Sequence, residues 1–174
     1  FRLRTPGLPL STAEIWMMNA TGTNPTRVTC NDREDQAPAF SPNGQMIAFN
    51  SQVNVGGLPS QFTYLINVNE GCGPGILLTE GRFARWSPDG QKIVVDRGRL
   101  GFREIVVRDL TDGTEVQLTN DPVFPRNLRA DWSPDGKKIV FVRALQPVEN
   151  NEDVFVMNAD GSDVTPLTLD HFCP

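Results

Sequence analysis

Three near-copies of one decapeptide stand 46 residues apart: FSPNGQMIAF from Phe40 to Phe49, WSPDGQKIVV from Trp86 to Val95, and WSPDGKKIVF from Trp132 to Phe141. Repetition at such a spacing restricts the fold more than any other feature of the chain. It specifies one small supersecondary unit that buries its apolar faces against copies of itself. The residues of the repeat explain themselves as a hairpin. Pro42, Pro88 and Pro134 pre-set φ at about −65° in the second turn position. Asn43, Asp89 and Asp135 suit the third position, and Gly44, Gly90 and Gly136 accept the positive φ of the fourth. The hydroxyls of Ser41, Ser87 and Ser133 can bond the turn's own backbone. Phe40, Trp86 and Trp132 are then expected at a sheet-to-sheet contact, where a large ring buries most area. The repeat thus reads as repeated geometry, a hairpin former with a packing anchor, and not as repeated chemistry.

The remaining sequence fits four strands per unit. A strand at Met46–Asn50, Lys92–Asp96 or Lys138–Arg143 follows each turn. A second group, FTYLINVNEG, REIVVRDLTDG and EDVFVMNADG, ends in a turn of its own, and a short strand then closes on Thr79, Thr119 or Thr168. Short apolar bursts rich in β-branched and aromatic residues, bounded by turn formers, are strand signals. The predicted fold class is all-β, built of four-stranded antiparallel β-propeller blades, about three and a half in number. The expected divisions are a partial blade at 1–29 (the end of one strand and two more), blades at 30–79, 80–119 and 120–169, and a C-terminal loop at 170–174. All belong to one propeller domain or part of one. An incomplete series leaves an exposed face and a bare sheet edge. Three resolutions are open: an excerpt of a longer propeller, association with further copies, or closure into a small four-unit ring.

Composition narrows the functional classes. Gly 15 and Pro 14 among 174 residues favour turns over long helices. No apolar run reaches the length of a membrane-spanning helix, so no membrane insertion is expected. The net charge of −5 speaks against a nucleic-acid role. Arginines cluster locally at Arg97, Arg99 and Arg103 and at Arg126 and Arg129, consistent with loop solubility or, alternatively, a small anion or acidic-partner site. The chain opens at Phe1 with no secretory leader pattern, as expected of a processed start or a fragment.

WSPDGKKIVF followed by VFVMNADGSDVTPLT resembles the repeats of TolB-type propellers and their bacterial relatives. The resemblance covers essentially the whole chain in four copies, the first partial. Pro38 keeps a proline usual two residues before the aromatic. Ala84 and Ala130 depart from it, as do Phe40 and Asn43 from the usual Trp and Asp. What the resemblance implies is a periplasmic or extracellular scaffold that binds partner proteins. Similar repeats also form the substrate-gating propeller of prolyl-oligopeptidase-like serine peptidases. Fold alone assigns neither role.

Catalytic patterns are sparse. The one histidine, His171, lies at the extreme end of the sequence, and no Gly-x-Ser-x-Gly elbow, zinc motif or phosphate loop is present. No catalytic, cofactor-binding or metal-binding residue is therefore predicted, and no cofactor. Asn158–Asp163 resembles the start of a calcium loop, but Leu167 stands where a bidentate carboxylate belongs. Asn19-Ala20-Thr21 is a glycosylation sequon, otherwise one more Asx-rich turn. Of the three cysteines, Cys30 and Cys173 fall in equivalent loops and are the candidates for an interchain disulfide, with free thiols the alternative. Cys72 is expected on the opposite rim. The function these readings favour is a non-enzymatic propeller scaffold for protein–protein interaction or self-assembly outside the cytoplasm. The partner would be another protein or further copies of the chain. The alternatives are the propeller part of a peptidase, and small-molecule or sugar binding at the propeller channel.

Overall fold

The computed structural model describes residues 2–3, 13–98, 102–120, 125–145 and 152–168. His171, Cys173 and Arg99 lie outside them. The described residues form antiparallel sheets and no helix. The first sheet has three strands, β1 (Arg2–Leu3), β2 (Glu14–Met17) and β3 (Thr26–Arg27). Four strands form the second: β4 (Asp35–Phe40), β5 (Met46–Val55), β6 (Leu58–Asn67) and β7 (Ile76–Glu80). The third comprises β8 (Arg82–Trp86), β9 (Lys92–Arg97), β10 (Glu104–Asp109) and β11 (Glu115–Gln117). The fourth comprises β12 (Pro125–Trp132), β13 (Lys138–Leu145), β14 (Glu152–Asn158) and β15 (Thr165–Pro166). In every sheet spatial order follows chain order. Such four-stranded meanders are propeller blades. The chain divides into two compact units, residues 1–84 and 85–174.

Strand alternation sends apolar side chains to both faces of each sheet. In the first unit Ile15, Val28, Ile47, Phe49, Tyr64 and Ile66 form one buried cluster. Phe49 and Tyr64 are direct partners across β5 and β6, and their rings stack with centroids 5.7 Å apart. In the second unit Val94, Ile105 and Val107 of the third sheet share a cluster with Ile139, Phe141, Phe155 and Met157 of the fourth. Phe141 and Phe155 repeat the cross-strand stacked pair, at 5.8 Å. Pairs of this kind contribute about 0.5–1.5 kcal/mol beyond the area they bury.

The hairpin turns repeat to within a degree. Gly44, Gly90 and Gly136 take φ of +71°, +71° and +70°. The backbone N–H groups of Met46, Lys92 and Lys138 donate to the hydroxyls of Ser41, Ser87 and Ser133 at 2.8–2.9 Å. Each hydroxyl donates in turn to Asn43, Asp89 or Asp135 at 2.6–2.7 Å. A second periodic feature lies in the preceding strand. Ala37, Phe83 and Arg129 have φ of +49°, +53° and +53°, and the pairing register shifts at Ala37 and at Arg129. The irregularities at Ala37 and Arg129 are bulges, which bend the strand and strengthen its twist. They are made here by residues with no special tolerance of that conformation, at a cost of roughly 1–2 kcal/mol each.

A polar clasp also recurs. Thr29, Thr119 and Thr168 accept the backbone N–H of Ile15, Ile105 and Val154, each at 2.9 Å. The same hydroxyls donate to Glu14, Glu104 and Asp153, each 15 residues upstream. In the first, third and fourth sheets the clasp thus ties the outermost strand to the start of its neighbour, where ladder hydrogen bonds are few.

Two expectations need correction. Phe40 is 53% exposed, not wedged between sheets. Its counterpart Trp132 packs on the core beside Val107, Val116 and Leu118. Ninety residues upstream of Val116 stands Thr26, so the first sheet offers a more polar platform to a smaller ring. The cysteine pairing also differs: Cys30 is bonded to Cys72, with Cα atoms 5.3 Å apart, and not to Cys173. The segment after β6 is no tight turn. Gly73 donates to the Val28 carbonyl at 3.2 Å and accepts from the Cys30 N–H at 3.1 Å, a parallel bridge that brings Cys72 across. The path requires glycine at Gly75, where a Cβ would lie 2.8 Å from the Phe49 ring.

The disulfide closes a loop across 42 positions, which in the chain-entropy model stabilises the fold by about 4 kcal/mol. Replacing both cysteines by serine is expected to lower stability by about 3–4 kcal/mol in urea melts. Dithiothreitol is expected to destabilise the wild-type chain and leave the double variant unchanged. Equal melts for the two proteins without reductant would show that the bond contributes nothing.

Candidate functional site

In the second unit a cavity of about 760 Å³ opens beside Trp132. The Ser87-Pro88-Asp89 turn between β8 and β9 forms one wall. Val107 of β10, Val116 of β11 and Leu118 just beyond it make an apolar floor. The opposite wall is Trp132 with Pro134, Asp135 and Gly136 of the next hairpin turn, and Ala159 and Asp160 after β14 close the end. The hairpin chemistry that shapes the sheets therefore also places the cavity's polar groups.

Three carboxylates stand around the apolar floor. Asp89 accepts from the Ser87 hydroxyl at 2.6 Å and from the Gln91 N–H at 3.0 Å. Asp135 accepts from Ser133 and from the Lys137 N–H at the same two distances. Asp160 accepts from the hydroxyl and the N–H of Ser162 at 2.7 and 2.9 Å. In each case the serine hydroxyl foremost, then a backbone N–H, holds the carboxyl below the usual range. Each of these bonds uses Oδ1. The one cation among the described residues of the lining, Lys92, is engaged with Asp109 at 2.8 Å, and that bond raises its pKa. The indole N–H of Trp132 is buried and has no acceptor among the described residues.

The other candidates form no second site. Asn158 donates to Ser162 and Asp163 at 2.8 and 2.7 Å, which ties the calcium-like segment into its own turn. No group of three metal-ligating side chains occurs among the described residues. Asn19 is exposed, and its side-chain amide donates to Thr23 at 3.2 Å. Arg97 pairs with Glu115 at 2.7 Å, while Arg103 and Arg126 face each other through a parallel backbone bridge. No helix of the described residues is long and apolar enough to cross a membrane. Acids at strand starts serve the sheets: buried Glu14 takes Arg27 at 2.6 Å and Thr29 at 2.7 Å, and half-buried Glu104 takes Thr119 and, at 3.0 Å, Asn127. Asp35, fully buried, accepts from Ser51 at 2.7 Å and Asn31 at 2.8 Å. The cavity itself was not anticipated from sequence. Its available signal was Val116, an apolar residue in a strand whose three residues are all exposed.

No family model matches the chain, and no curated protein matches it. Solved structures do. A putative TolB from Agrobacterium tumefaciens aligns at 25% identity over 89% of this chain and 55% of its own, with a TM-score of 0.68. TolB from Acinetobacter baumannii aligns at 21% identity over 96% of this chain and 51% of its own, with a TM-score of 0.57. The β-propeller domain of the Trilobed protease from Pyrococcus furiosus aligns at 16% identity over 80% of this chain and 44% of its own, with a TM-score of 0.61. The chain has a TolB-like β-propeller fold. It spans about half the length of the TolB structures it matches.

Asp35 provides a pH test of how these buried acids are held. Burial, foremost, raises its pKa above 3.8, against the hydrogen bonds that lower it. The folded chain therefore holds this proton more tightly than the unfolded one. The stability it contributes is present below about pH 4 and is lost as the pH climbs through its folded value. Asp35→Asn removes that loss, and Asn127, whose N–H donates to the preceding sheet as that of Asp35 does, shows the amide accepted at the matching place. Relative to wild type, the variant is expected to gain stability in urea melts as the pH rises above about 4, and to hold that gain once the folded value of Asp35 is passed. A difference that stays flat, or that moves toward the wild type with rising pH, contradicts this assignment.

Proposed function

We propose that this chain is a non-enzymatic propeller scaffold that binds protein partners outside the cytoplasm. The observation that carries this reading is the cavity in the second unit: an apolar floor of Val107, Val116 and Leu118 beside Trp132, on a frame of hydrogen-bonded hairpins. A preformed apolar concavity with a few placed polar groups is the first place to look for a binding site, and the polar groups here are engaged in turn geometry. The likeness to TolB propellers supports a scaffold role. The Cys30–Cys72 disulfide supports a place outside the reducing cytoplasm. Further copies of the chain remain candidate partners beside a different protein, because several large apolar side chains stay exposed, among them Ile76 at 73% and Leu167 at 60%.

A second reading has one supporting observation, the match to the propeller domain of the Trilobed protease. Under it the blades would gate substrate access to a catalytic domain carried elsewhere. Two measurements on the purified chain test the proposal. Incubation with a panel of fluorogenic peptides is expected to give no hydrolysis above background, whereas turnover that a single substitution removes would overturn the non-enzymatic reading. Light scattering across a concentration series then separates the partners. A constant 19.2 kDa species assigns binding to a different protein, and a mass that grows with concentration assigns it to further copies.

A further inference from the structure

We propose that the cavity beside Trp132 binds an extended peptide segment carrying a lysine or arginine next to a large apolar side chain. This rests on the reading of the chain as a protein-binding module and names the chemistry of the segment bound. The volume, about 760 Å³, lies in the range of roughly 300–1,000 Å³ typical of ligand sites. The floor of Val107, Val116 and Leu118 and the flanking Pro88 and Pro134 give an apolar side chain its contact area. Val116 is 55% exposed, so this area is open to a ligand.

Charge complementarity decides what accompanies that side chain. Asp89, Asp135 and Asp160 all line the cavity, and Lys92, which lines it too, is neutralised by Asp109. Hydrogen bonds from Ser87, Ser133 and Ser162 keep the three carboxyls ionised. Each uses Oδ1 for its turn, and no described residue bonds its Oδ2. Three fixed negative charges around an apolar floor repel an acidic segment or a phosphate and attract an ammonium or guanidinium group. Trp132 adds an aromatic face for that cation. The apolar floor beside the carboxylates points to a peptide over a simple organic cation, because a peptide brings an apolar side chain next to its cation.

The test uses the full chain labelled with nitrogen-15 and reads the indole N–H resonances of Trp16, Trp86 and Trp132, assigned with Trp132→Phe. Two probes of equal apolar content are titrated: acetyl-Leu-Lys-Phe-Lys-Leu-amide and acetyl-Leu-Glu-Phe-Glu-Leu-amide. The basic peptide is expected to shift the Trp132 resonance to saturation, and the acidic one to leave it in place. Combining Asp89→Asn, Asp135→Asn and Asp160→Asn should weaken the basic peptide about tenfold. Asn43 already makes the same serine contact in the second sheet at 2.7 Å, so asparagine preserves the turns at Asp89 and Asp135. Asp112→Asn, outside the cavity, should leave affinity unchanged, and Val116→Lys should abolish the shift. Equal binding of the two peptides, no shift, a response confined to Trp16 or Trp86, or full affinity in the triple variant overturns the proposal. None of these results touches the hydrolysis and mass measurements, so the scaffold reading stands or falls separately.

Discussion

A sheet that is apolar on both faces cannot terminate in water, and this constraint governs the rest of the architecture. The third sheet shows it plainly. Val94, Ile105 and Val107 point to one side and Ile93, Val95 and Val106 to the other, and none of the six exceeds 7% exposure. One of those faces is covered by Ile139, Phe141, Phe155 and Met157 of the fourth sheet. On the far face of the fourth sheet, Val140 pairs with Val156 and Val142 with Val154, and all four are only half-buried. A single blade of this kind is therefore not a stable particle. Repetition is the means by which each sheet obtains cover.

Stacking imposes a demand that flat hairpins do not meet, because each sheet must twist and present its inner strand at a fixed angle to its neighbour. The left-handed residues Ala37, Phe83 and Arg129, bulged at Ala37 and Arg129, answer it at 46-residue intervals, three residues before Phe40, Trp86 and Trp132. Their positive φ is an expense repeated without glycine's help, so the bend they produce matters to the assembly. The same bend sets Trp132 over Val107, Val116 and Leu118 and leaves a hollow beside it. The candidate binding site is thus a by-product of blade geometry, furnished by whatever residues the turns happen to carry. In the third and fourth sheets those are aspartates. In the second sheet the matching position is Asn43 and the anchor Phe40 is exposed, so similar backbone geometry yields a different surface.

Blades, strand order and turns were legible in the sequence because each is written several times with local chemistry: proline and glycine for the turn, β-branched bursts for the strands. The threonine clasp was legible in part. Thr79, Thr119 and Thr168 mark strand ends, but the acid 15 residues before Thr29, Thr119 and Thr168 was the signal of what the hydroxyl does. In the second sheet Phe62 stands in the acid's place, and Thr63 beside it donates to the Gly81 carbonyl, which breaks the pattern to the eye. The left-handed positions before the rings left no mark, since alanine, phenylalanine and arginine share nothing that asks for such a backbone. Nor did the pairing of Cys30 with Cys72. It depends on one irregular connection, rich in glycine, running beside a neighbouring strand, and features that occur once are invisible to an argument from repetition. The cavity was missed for a related reason: it lies between sheets, where no single repeat describes both walls.

The polar contacts follow the same logic of mutual cover as the apolar ones. Glu104 opens its strand and is satisfied from two directions, by Thr119 of its own sheet and by Asn127 of the next, while the Asn127 N–H bonds the Arg103 carbonyl at 2.9 Å. Asn127 is itself held through Arg143 of its own sheet at 2.9 Å. A chain of charge-assisted bonds, each contributing roughly 1.5–3 kcal/mol, thereby links successive blades at the same level as their apolar faces. Asp153 occupies the matching place in the fourth sheet. It keeps the bond from Thr168 at 3.2 Å, yet its buried Oδ2 has no partner among the described residues. The contrast between Glu104 and Asp153 shows where the cooperativity of such a fold resides. A blade supplies half of each contact, apolar or polar, and its neighbour supplies the other half.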